Sequence, residues 1–338
     1  DVTFTDSTIT GTGANAVDIL NADGTIQLGS ITATGGTTAV NIDNSTAHIT
    51  IDELNSTNAS NSALAVNQLT GSLEVKQGTI TNSGVAGVQL TDSTEITLRD
   101  LTINTPASNP TGTSITATGT SNLLVASSSI NHAGAGTAVS LTNSSGTVSF
   151  DQSPITKDDG LAVSISGGNA AITFIGSDIT NTDGEGIDIQ NAGGSIQLGT
   201  ITTTNGAVTA NINGGDADVT ISELNSDNAS TSPLVINNQT GSFTLNGGTF
   251  TSIGTAGAQI TDSSNVTIQG VTMQTPTTYG IYAQNVNNLN LNGNTIIDVS
   301  LDGIYVQNLT GTCSISGNTI RSLLSAFDNA IEVSTSGD

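Results

Sequence analysis

Positive charge is nearly absent from this sequence. Its 338 residues include 4 Lys and Arg against 28 Asp and Glu, which gives a formal net charge of −24 at pH 7. Nucleic-acid binding depends on neutralising many phosphates, and Lys76, Arg99, Lys157 and Arg321 are too scattered along the chain to line a phosphate track. The composition therefore excludes nucleic acid as a partner.

Cysteine, aromatic residues and long apolar segments are also scarce. The single cysteine, Cys313, rules out a disulfide framework or a cysteine metal site within the chain. No apolar run approaches the ~18 residues of a spanning helix, so we expect no membrane insertion by this segment. With no Trp, 3 Tyr and 6 Phe, the sequence argues against sugar-stacking platforms and strong protein hot spots.

Short strings of alternating apolar residues fill the chain instead, and they recur every 23 to 27 residues. Alternation puts one face of a strand inward, and a fixed period with strand signals is typical of a β-solenoid. We predict an all-β fold, a parallel β-helix of about 14 coils of about 24 residues. The predicted coil starts are Val2, Ile26, Ile49, Leu73, Ile96, Leu123, Val148, Ile172, Ile196, Val219, Phe243, Val266, Leu289 and Cys313.

A longer repeat is superimposed on the coils. Residues 21–29 recur at 191–199 and residues 53–56 at 223–226, both at an offset of 170. Beyond residue 106 the match continues at an offset near 166, because the first copy carries a four-residue insertion within residues 104–111. We predict one continuous solenoid over residues 1–338 with an internal duplication of 1–170 and 171–338.

The last coils resemble a known family. The segments from Gly280-Ile281-Tyr282-Ala283 to Asn294-Thr295-Ile296, and from Gly303-Ile304-Tyr305-Val306 to Asn318-Thr319-Ile320, are similar to the repeat of right-handed parallel β-helix proteins of the pectate-lyase-like superfamily. The resemblance implies the right-handed fold. It leaves function open, because that superfamily contains polysaccharide-active enzymes, phage tailspikes and bacterial surface adhesins.

The strongest enzymatic lead is Asn181-Thr182-Asp183-Gly184, which resembles a motif of polygalacturonase-type glycosidases. The rest of that family's set is missing, and these residue types favour turns, so we expect a turn and no catalytic residues. Asp52, Lys76 and Arg99 share a coil position and are expected to form a surface charge ladder. Any site would lie beside the bulges at 104–114 or 321–329, because loops on a solenoid carry its sites.

Calcium is the one cofactor that the sequence leaves open, with Asp183, Glu185 and Asp188 as candidate ligands. Both histidines, His48 and His132, are expected in solvated loops. The remaining side chains singled out are expected in the core: Cys313, Phe250 and Met273.

Threonines recur six and eight residues after many coil starts, which resembles the ice-binding face of β-solenoid antifreeze proteins. Because Thr is favoured on any exposed strand, a structural ladder is the competing interpretation. The pairs are Thr8 and Thr10, Thr32 and Thr34, Thr79 and Thr81, Thr202 and Thr204, and Thr249 and Thr251.

These patterns favour a non-catalytic, extracellular structural or adhesive rod at the cell surface, a segment of a larger secreted bacterial protein. Duplication lengthens a rod but does not usefully multiply a single active site. We expect continuation in a longer chain or end-to-end self-association, with a surface glycan or protein as ligand. A polysaccharide-active enzyme and an ice-binding solenoid are the alternatives.

Overall fold

The computed structural model describes residues 1–11, 13–322 and 328–335, and this part of the chain consists of β-strands and turns without a helix. No segment of it is therefore a helix long and apolar enough to cross a membrane. The chain divides into two compact units, Asp1–Asp178 and Ile179–Asp338, which are described separately below.

The strands of the first unit are short and separated by tight turns. They are β1 (Val2–Gly11), β2 (Asn15–Leu20), β3 (Thr25–Thr34), β4 (Thr38–Asp43), β5 (His48–Thr57), β6 (Ser62–Asn67), β7 (Ser72–Val75), β8 (Gly78–Thr81), β9 (Ala86–Thr91), β10 (Thr94–Arg99), β11 (Leu101–Thr105), β12 (Thr113–Thr118), β13 (Ser121–Ala126), β14 (Ser129–His132), β15 (Val139–Thr142), β16 (Ser145–Asp151), β17 (Ile155–Ser166) and β18 (Ala171–Ile175).

The second unit repeats this organisation. Its strands are β19 (Ile179–Ala192), β20 (Ser195–Thr204), β21 (Ala210–Gly215), β22 (Asp218–Asp227), β23 (Leu234–Asn237), β24 (Phe243–Leu245), β25 (Gly248–Thr251), β26 (Ala258–Thr261), β27 (Ser264–Gln269), β28 (Val271–Gln274), β29 (Ile281–Gln284), β30 (Asn287–Asn292), β31 (Thr295–Ile297), β32 (Ile304–Gln307), β33 (Ser314–Ser316), β34 (Thr319–Arg321) and β35 (Ile331–Ser334).

Strands pair in parallel with the strands one turn earlier or later, so both units are parallel β-solenoids. The predicted coil starts are confirmed as register partners. In the first unit one column of partners runs through Val2, Ile26, Ile49, Leu73, Ile96, Leu123, Val148 and Ile172. In the second unit it runs through Ile196, Val219, Phe243, Val266 and Leu289.

Alternation along each strand builds the core. In β5, for example, Ile49 and Ile51 are fully buried while Thr50 between them faces outward and is half-exposed. Burial of each such side chain contributes about 1.5–3 kcal/mol, repeated at every turn. Phe250 and Met273 are buried as predicted. In the first unit Phe150 and Phe174, which are register partners, stack with their ring centroids 4.6 Å apart.

Asparagine occupies the turn position directly after many of the strands. Asn21 and Asn44 adopt left-handed backbone conformations (φ 51° and 48°), which Asn tolerates better than most residues. The side chains also join successive turns, because the Asn44 amide donates to Asn21 Oδ1 over 2.6 Å. The same ladder recurs in the second unit, where the Asn228 amide donates to Asn205 Oδ1 over 2.8 Å. The high Asn content therefore belongs to the corners of the coils.

Two glycines, 170 residues apart, occupy the same tight position. Gly78 (φ +151°) pairs with Leu54, and Gly248 (φ +142°) pairs with Leu224. A Cβ atom at either glycine would lie 1.9 Å from the carbonyl oxygen of its partner leucine. Only glycine fits there, because both the backbone conformation and the contact exclude a side chain.

The prediction of a buried Cys313 is wrong. Cys313 holds a coil-start position but is exposed, and its Sγ makes a 3.4 Å contact with the carbonyl oxygen of Thr310. The reason is its place in the last described coil, where Ile331 and Val333 are also exposed, since no later turn of the described residues packs over them.

Candidate functional site

A loop departs from the wall of the first unit where the sequence predicts a bulge. Residues 106–112 lie between β11 and β12, and Asn109 anchors them. The Asn109 amide donates to the backbone oxygen of Ser83, and its Oδ1 accepts from the Gly112 N–H over 3.2 Å. Beside the loop lies a groove of about 380 Å³, lined by Thr81, Asn104, Thr105, Pro106, Asn131, His132, Ala133, Thr156 and Asp158.

A polar cluster is buried at the inner side of this groove. Ser114 Oγ lies 3.0 Å from Thr105 Oγ1 and 3.0 Å from His132 Nδ1. The predicted solvated position of His132 is wrong, because the residue takes an inward place on β14 and is 2 % exposed. Ser114 is fully buried as well. The arrangement is therefore a hydrogen-bond network inside the core, with its hydroxyls satisfied by one another and by the imidazole.

Lys157 completes this cluster. It is the register partner of His132 on β17, it is fully buried, and its Nζ donates to the carbonyl oxygen of Gly134. Burial lowers the pKa of Lys157 to about 8, although Asp159 and Asp158 oppose the shift. Burial and then the charge of Lys157 lower the pKa of His132 to about 4, so the imidazole is neutral at pH 7.

The burial of Lys157 is not among the predictions above, although the strand pattern contains the signal for it. Ile155 is buried, Thr156 is exposed and Lys157 is buried again, which is the period-two alternation of the wall. A lysine in a sequence usually indicates an exposed position on a loop or strand. Lys157 instead faces inward, and the carbonyl oxygen of Gly134 accepts its hydrogen bond inside the core.

Two of the three candidate calcium ligands, Asp183 and Asp188, accept hydrogen bonds within the second unit. Asp183 Oδ1 accepts from the Asn205 amide over 3.0 Å, and Asp188 Oδ1 accepts from the Asn211 amide over 2.8 Å. Burial, together with the charge of Asp188, raises the pKa of Glu185. Across the described ranges, no group of three His, Cys, Asp or Glu side chains is arranged to hold a metal ion. The three acids are thus not brought together as one ligand set.

The Asn-Thr-Asp-Gly segment lies within β19 rather than in a free turn. Asn181 is buried, and its Nδ2 donates to the Glu185 carbonyl oxygen over 2.7 Å. This bond spans four residues and fixes the local backbone, which is a structural use of the asparagine. Of the motif's side chains, Asn181 is buried, whereas Thr182 and Asp183 are exposed to solvent.

The predicted charge ladder forms as two pairs. Lys76 Nζ lies 2.7 Å from Asp52 Oδ1, and Arg99 Nε lies 3.6 Å from Glu74 Oε1. All four side chains are 39–47 % exposed, so each pair contributes little to stability. Arg99 thus pairs with a carboxylate one turn earlier, and this surface ion pair accounts for its position.

The threonine columns match the expected register in most places. In the first unit one column runs Thr10, Thr32, Asn55, Thr79, Thr102 and Ser129. The alignment of Thr8 with Thr32 is wrong, because the register shifts between Phe4 and Thr8 and places Thr8 opposite Ser30. In the second unit the column runs Thr180, Thr202, Asn225, Thr249, Thr272, Thr295 and Thr319.

The neighbouring columns contain the second member of each threonine pair. Thr34, Thr57 and Thr81 are successive register partners in the first unit. In the second unit Asp227 lies between Thr204 and Thr251, and the Thr251 hydroxyl donates to its carboxylate. The two-column hydroxyl array is therefore interrupted by amides and a carboxylate.

The second unit also gathers the three tyrosines of the chain into one patch. Tyr282 on β29 and Tyr305 on β32 are register partners with parallel rings, 5.4 Å between centroids. Tyr279, just before β29, leans on both rings at 5.4 and 5.3 Å. We name these three residues the tyrosine corner. A groove of about 260 Å³ adjoins it, lined by Thr255, Ala256, Gln259, Thr278, Tyr279 and Tyr282.

The low aromatic content predicts no platform of stacked rings, but the three tyrosines lie together. The signal that could have found them is the Gly-Ile-Tyr triplet at 280–282 and 303–305, one coil apart. Identical residues one period apart stack in a parallel solenoid. The second predicted bulge, at 321–329, begins at the last residue of β34, and its residues 323–327 lie outside the described part of the chain.

Comparison with known proteins gives one match. No curated protein and no solved structure is detectably similar to the chain. A family model described as the right handed beta helix region matches residues 38–201 and 206–338, which is most of the sequence. This match agrees with the parallel solenoid of both units and supplies the handedness, so the fold is a right-handed parallel β-helix. The chain belongs to the right-handed β-helix family.

Proposed function

We propose that this chain is a non-catalytic structural or adhesive segment of an extracellular protein, of the kind found in bacterial surface adhesins and filaments. The observation that carries the proposal is that several acidic side chains form structural hydrogen bonds between turns. Carboxylates that could serve an acid–base reaction accept hydrogen bonds from an asparagine one turn later. The acids are Asp18, Asp43, Asp183, Asp188 and Asp262, and their donors are Asn41, Asn67, Asn205, Asn211 and Asn285.

These ladders give the acidic composition a structural use. An asparagine amide on a carboxylate is a charge-assisted hydrogen bond, and each of these five bonds joins one coil to the next. The remaining charge favours solubility and discourages lateral aggregation. Both properties suit a surface segment made of many similar coils.

The duplication supports the same proposal. Positions that build the coil are retained at the 170-residue offset, as in Leu54 and Leu224 or Gly78 and Gly248. Of the three candidate acids, Asp183 corresponds to Gly13 and Glu185 to Asn15, while Asp188 is retained as Asp18. The two copies therefore share the solenoid geometry but not the acidic pair Asp183 and Glu185, and the acid that they do share accepts a hydrogen bond from an asparagine in both.

A turnover assay tests the proposal against the enzymatic alternative. The protein is incubated with polyuronides and bacterial glycans, and reducing ends or unsaturated products are measured. We expect no turnover above a heat-denatured control. Turnover that Asp183→Asn abolishes, while the matched change Asp262→Asn leaves it intact, would overturn the proposal and favour a polysaccharide-active enzyme.

Localisation is tested separately. An antibody raised against this segment is expected to label intact cells that express the protein, to the same extent before and after permeabilisation. Labelling that requires permeabilisation would contradict an extracellular role.

Ice binding is a second candidate, favoured by the threonine column of the second unit. Thr249, Thr272 and Thr295 occupy successive turns, and strand geometry spaces their hydroxyls ~4.8 Å apart. Asn225 and Asp227 interrupt the array. If the face binds ice, the protein inhibits ice recrystallisation, and replacing Thr249 and Thr272 together by Tyr removes the effect. Unchanged recrystallisation with the native protein excludes this function.

A further inference from the structure

The tyrosine corner combines three features that ordinary wall positions of the solenoid lack. Two rings stack as neighbouring rungs, a third ring tilts against them at 43° and 41°, and a groove opens beside them. The register partner of Tyr282 on the preceding turn is Gln259, which also lines the groove. One ring face of Tyr282 is thus covered by Tyr305, and the side chain also lines the groove beside Gln259.

Hydrogen bonds hold this ring in place. The Tyr282 hydroxyl donates to Gln284 Oε1 over 3.1 Å, and Gln284 Nε2 donates to Gln307 Oε1 over 2.6 Å. The Tyr282 hydroxyl is therefore already engaged, which leaves the ring as the part of this lining residue that would contact a ligand in the groove. Because the ring is already positioned, little side-chain freedom is lost when a ligand binds.

The charge around the corner is negative. Glu332 is the register partner of Tyr305, and its carboxylate accepts from the Asn329 amide over 2.9 Å. Burial raises the pKa of Tyr279, and the charge of the nearby buried Asp302 raises it further, with a smaller effect from Glu332. Residues 179–338 contain 13 acidic residues against one basic residue, Arg321, which lies on a different ladder with Ile297.

We propose that the tyrosine corner binds an organic cation, an ammonium group carrying alkyl substituents. The face of a tyrosine ring is the negative side of its quadrupole and attracts a cation within about 6 Å of the centroid. The carboxylates of Glu332 and Asp302 act in the same direction. The alkyl groups of such a cation would contact Tyr279, Tyr282 and the Ala256 methyl in the groove.

The same field disfavours other ligands. An anionic group, such as a uronic acid or a phosphate, would be repelled by both carboxylates without a basic residue to compensate. A neutral apolar group would gain the contact area but not the charge attraction. The proposal goes beyond the structural role proposed above and does not depend on it, because it assigns a small-ligand site to one patch.

Intrinsic fluorescence gives a direct measurement. The chain contains no Trp, and its 3 Tyr are the residues of the corner, so ultraviolet emission reports on this patch. Choline chloride is titrated into the intact chain, with sodium chloride at equal ionic strength as the blank. We expect a saturable change with a dissociation constant in the millimolar range, as for a few exposed cation–π contacts. A change identical to the sodium chloride blank would overturn the proposal.

An uncharged analogue separates charge from shape. In 3,3-dimethyl-1-butanol a carbon replaces the quaternary nitrogen of choline, and we expect it to bind at least about tenfold more weakly. Equal or tighter binding of the alcohol would show an apolar groove without preference for cations, and this too would overturn the proposal.

Variants locate the site. Tyr282→Leu is expected to weaken choline binding at least about tenfold, whereas Tyr282→Phe, which keeps the ring, stays within about twofold. Glu332→Gln preserves an acceptor for Asn329 and is expected to weaken binding about threefold. Glu223→Gln is the matched control, because Glu223 lies on β22, outside the ladder of the tyrosines. If Tyr282→Leu does not fold, Glu332→Gln and the alcohol decide the outcome, and equal effects of the two Glu→Gln changes contradict the proposal.

Discussion

His132 and Lys157 are register partners on adjacent turns of the first unit, and both side chains are buried. Both also approach Gly134: Lys157 donates to its carbonyl oxygen, and a Cβ placed on Gly134 would lie 3.4 Å from His132 Nε2. Two basic groups in one inward column are stable only if at least one is neutral, because two unpaired buried charges repel. The pKa values of both groups are lowered accordingly.

The first prediction concerns stability in acid. The pKa of His132 is about 4 in the folded chain against 6.5 for a free imidazole, so the unfolded chain takes up the proton first as the pH falls. The free energy of unfolding is therefore expected to rise from pH 4 to pH 6.5 by on the order of 2 kcal/mol from this residue, after allowance for solvent screening. Denaturant unfolding at several pH values measures it.

The control for this prediction is His132→Leu, because the 28 carboxylates also titrate in acid. The difference between the wild type and the variant isolates the histidine. A difference that does not change between pH 4 and pH 6.5 would contradict the buried neutral imidazole.

The second prediction concerns Lys157→Met, which removes the buried amine and keeps a similar volume. Because the charge of Lys157 lowers the pKa of His132, the variant is expected to raise that pKa above 4, while burial keeps it below 6.5. Titration of the imidazole NMR signals measures the value, with His48→Gln used to assign them. An unchanged pKa would show that the two side chains do not interact.

The same variant tests alkaline stability. In the wild type the lowered pKa of Lys157 means that the free energy of unfolding rises between pH 8 and 10.5, where the unfolded chain binds more protons. Lys157→Met is expected to lack this rise.

The third prediction concerns the paired glycines. Gly248→Ala would place a Cβ atom 1.9 Å from the Leu224 carbonyl oxygen, and we expect it to destabilise the chain by about 2 kcal/mol or more. Gly247→Ala is the adjacent control, since its nearest contact is 4.0 Å away, and it should change stability by less than about 0.5 kcal/mol. Gly78→Ala should repeat the effect in the first unit. Equal stability of the two neighbouring variants would refute the tight contact.

The fourth prediction concerns Cys313, the one cysteine. Because its side chain is exposed, a maleimide should label it fully without denaturant. Cys313→Ser provides the unlabelled control and should leave the free energy of unfolding within about 0.5 kcal/mol of the wild type. Labelling that needs denaturant would instead indicate the buried position that the sequence pattern predicts.

The coils could be predicted from the sequence because each coil is specified by residues close together in the chain. Val, Ile and Leu two residues apart mark an inward face, and a constant period sets the register of the next turn, as in Ile26 and Ile49. The predicted alignment of Thr8 with Thr32 is wrong because the strand is irregular between Phe4 and Thr8. This irregularity shifts the register of the following residues by two.

The candidate sites were less predictable from the sequence than the coils. A polar residue at an inward position looks like a loop residue until its hydrogen-bond partner is known, and the partners of His132 and Lys157 lie elsewhere in the chain, at Ser114 and Gly134. Tyr279 joins Tyr282 and Tyr305 through the path of the chain before β29, which no periodicity encodes. Composition gave the number of tyrosines and not their proximity.

The loop at 106–112 lengthens the chain without changing the register of the strands on either side of it. On one side of it Ile103 pairs with Ile130, and on the other Ile115 pairs with Val139, so register is kept although the first copy has four more residues here than the second. Extra residues at this corner are extruded into solvent and leave the inward columns in place. The corner is thus a natural grafting point, where a foreign peptide could be displayed from the solenoid without repacking its core.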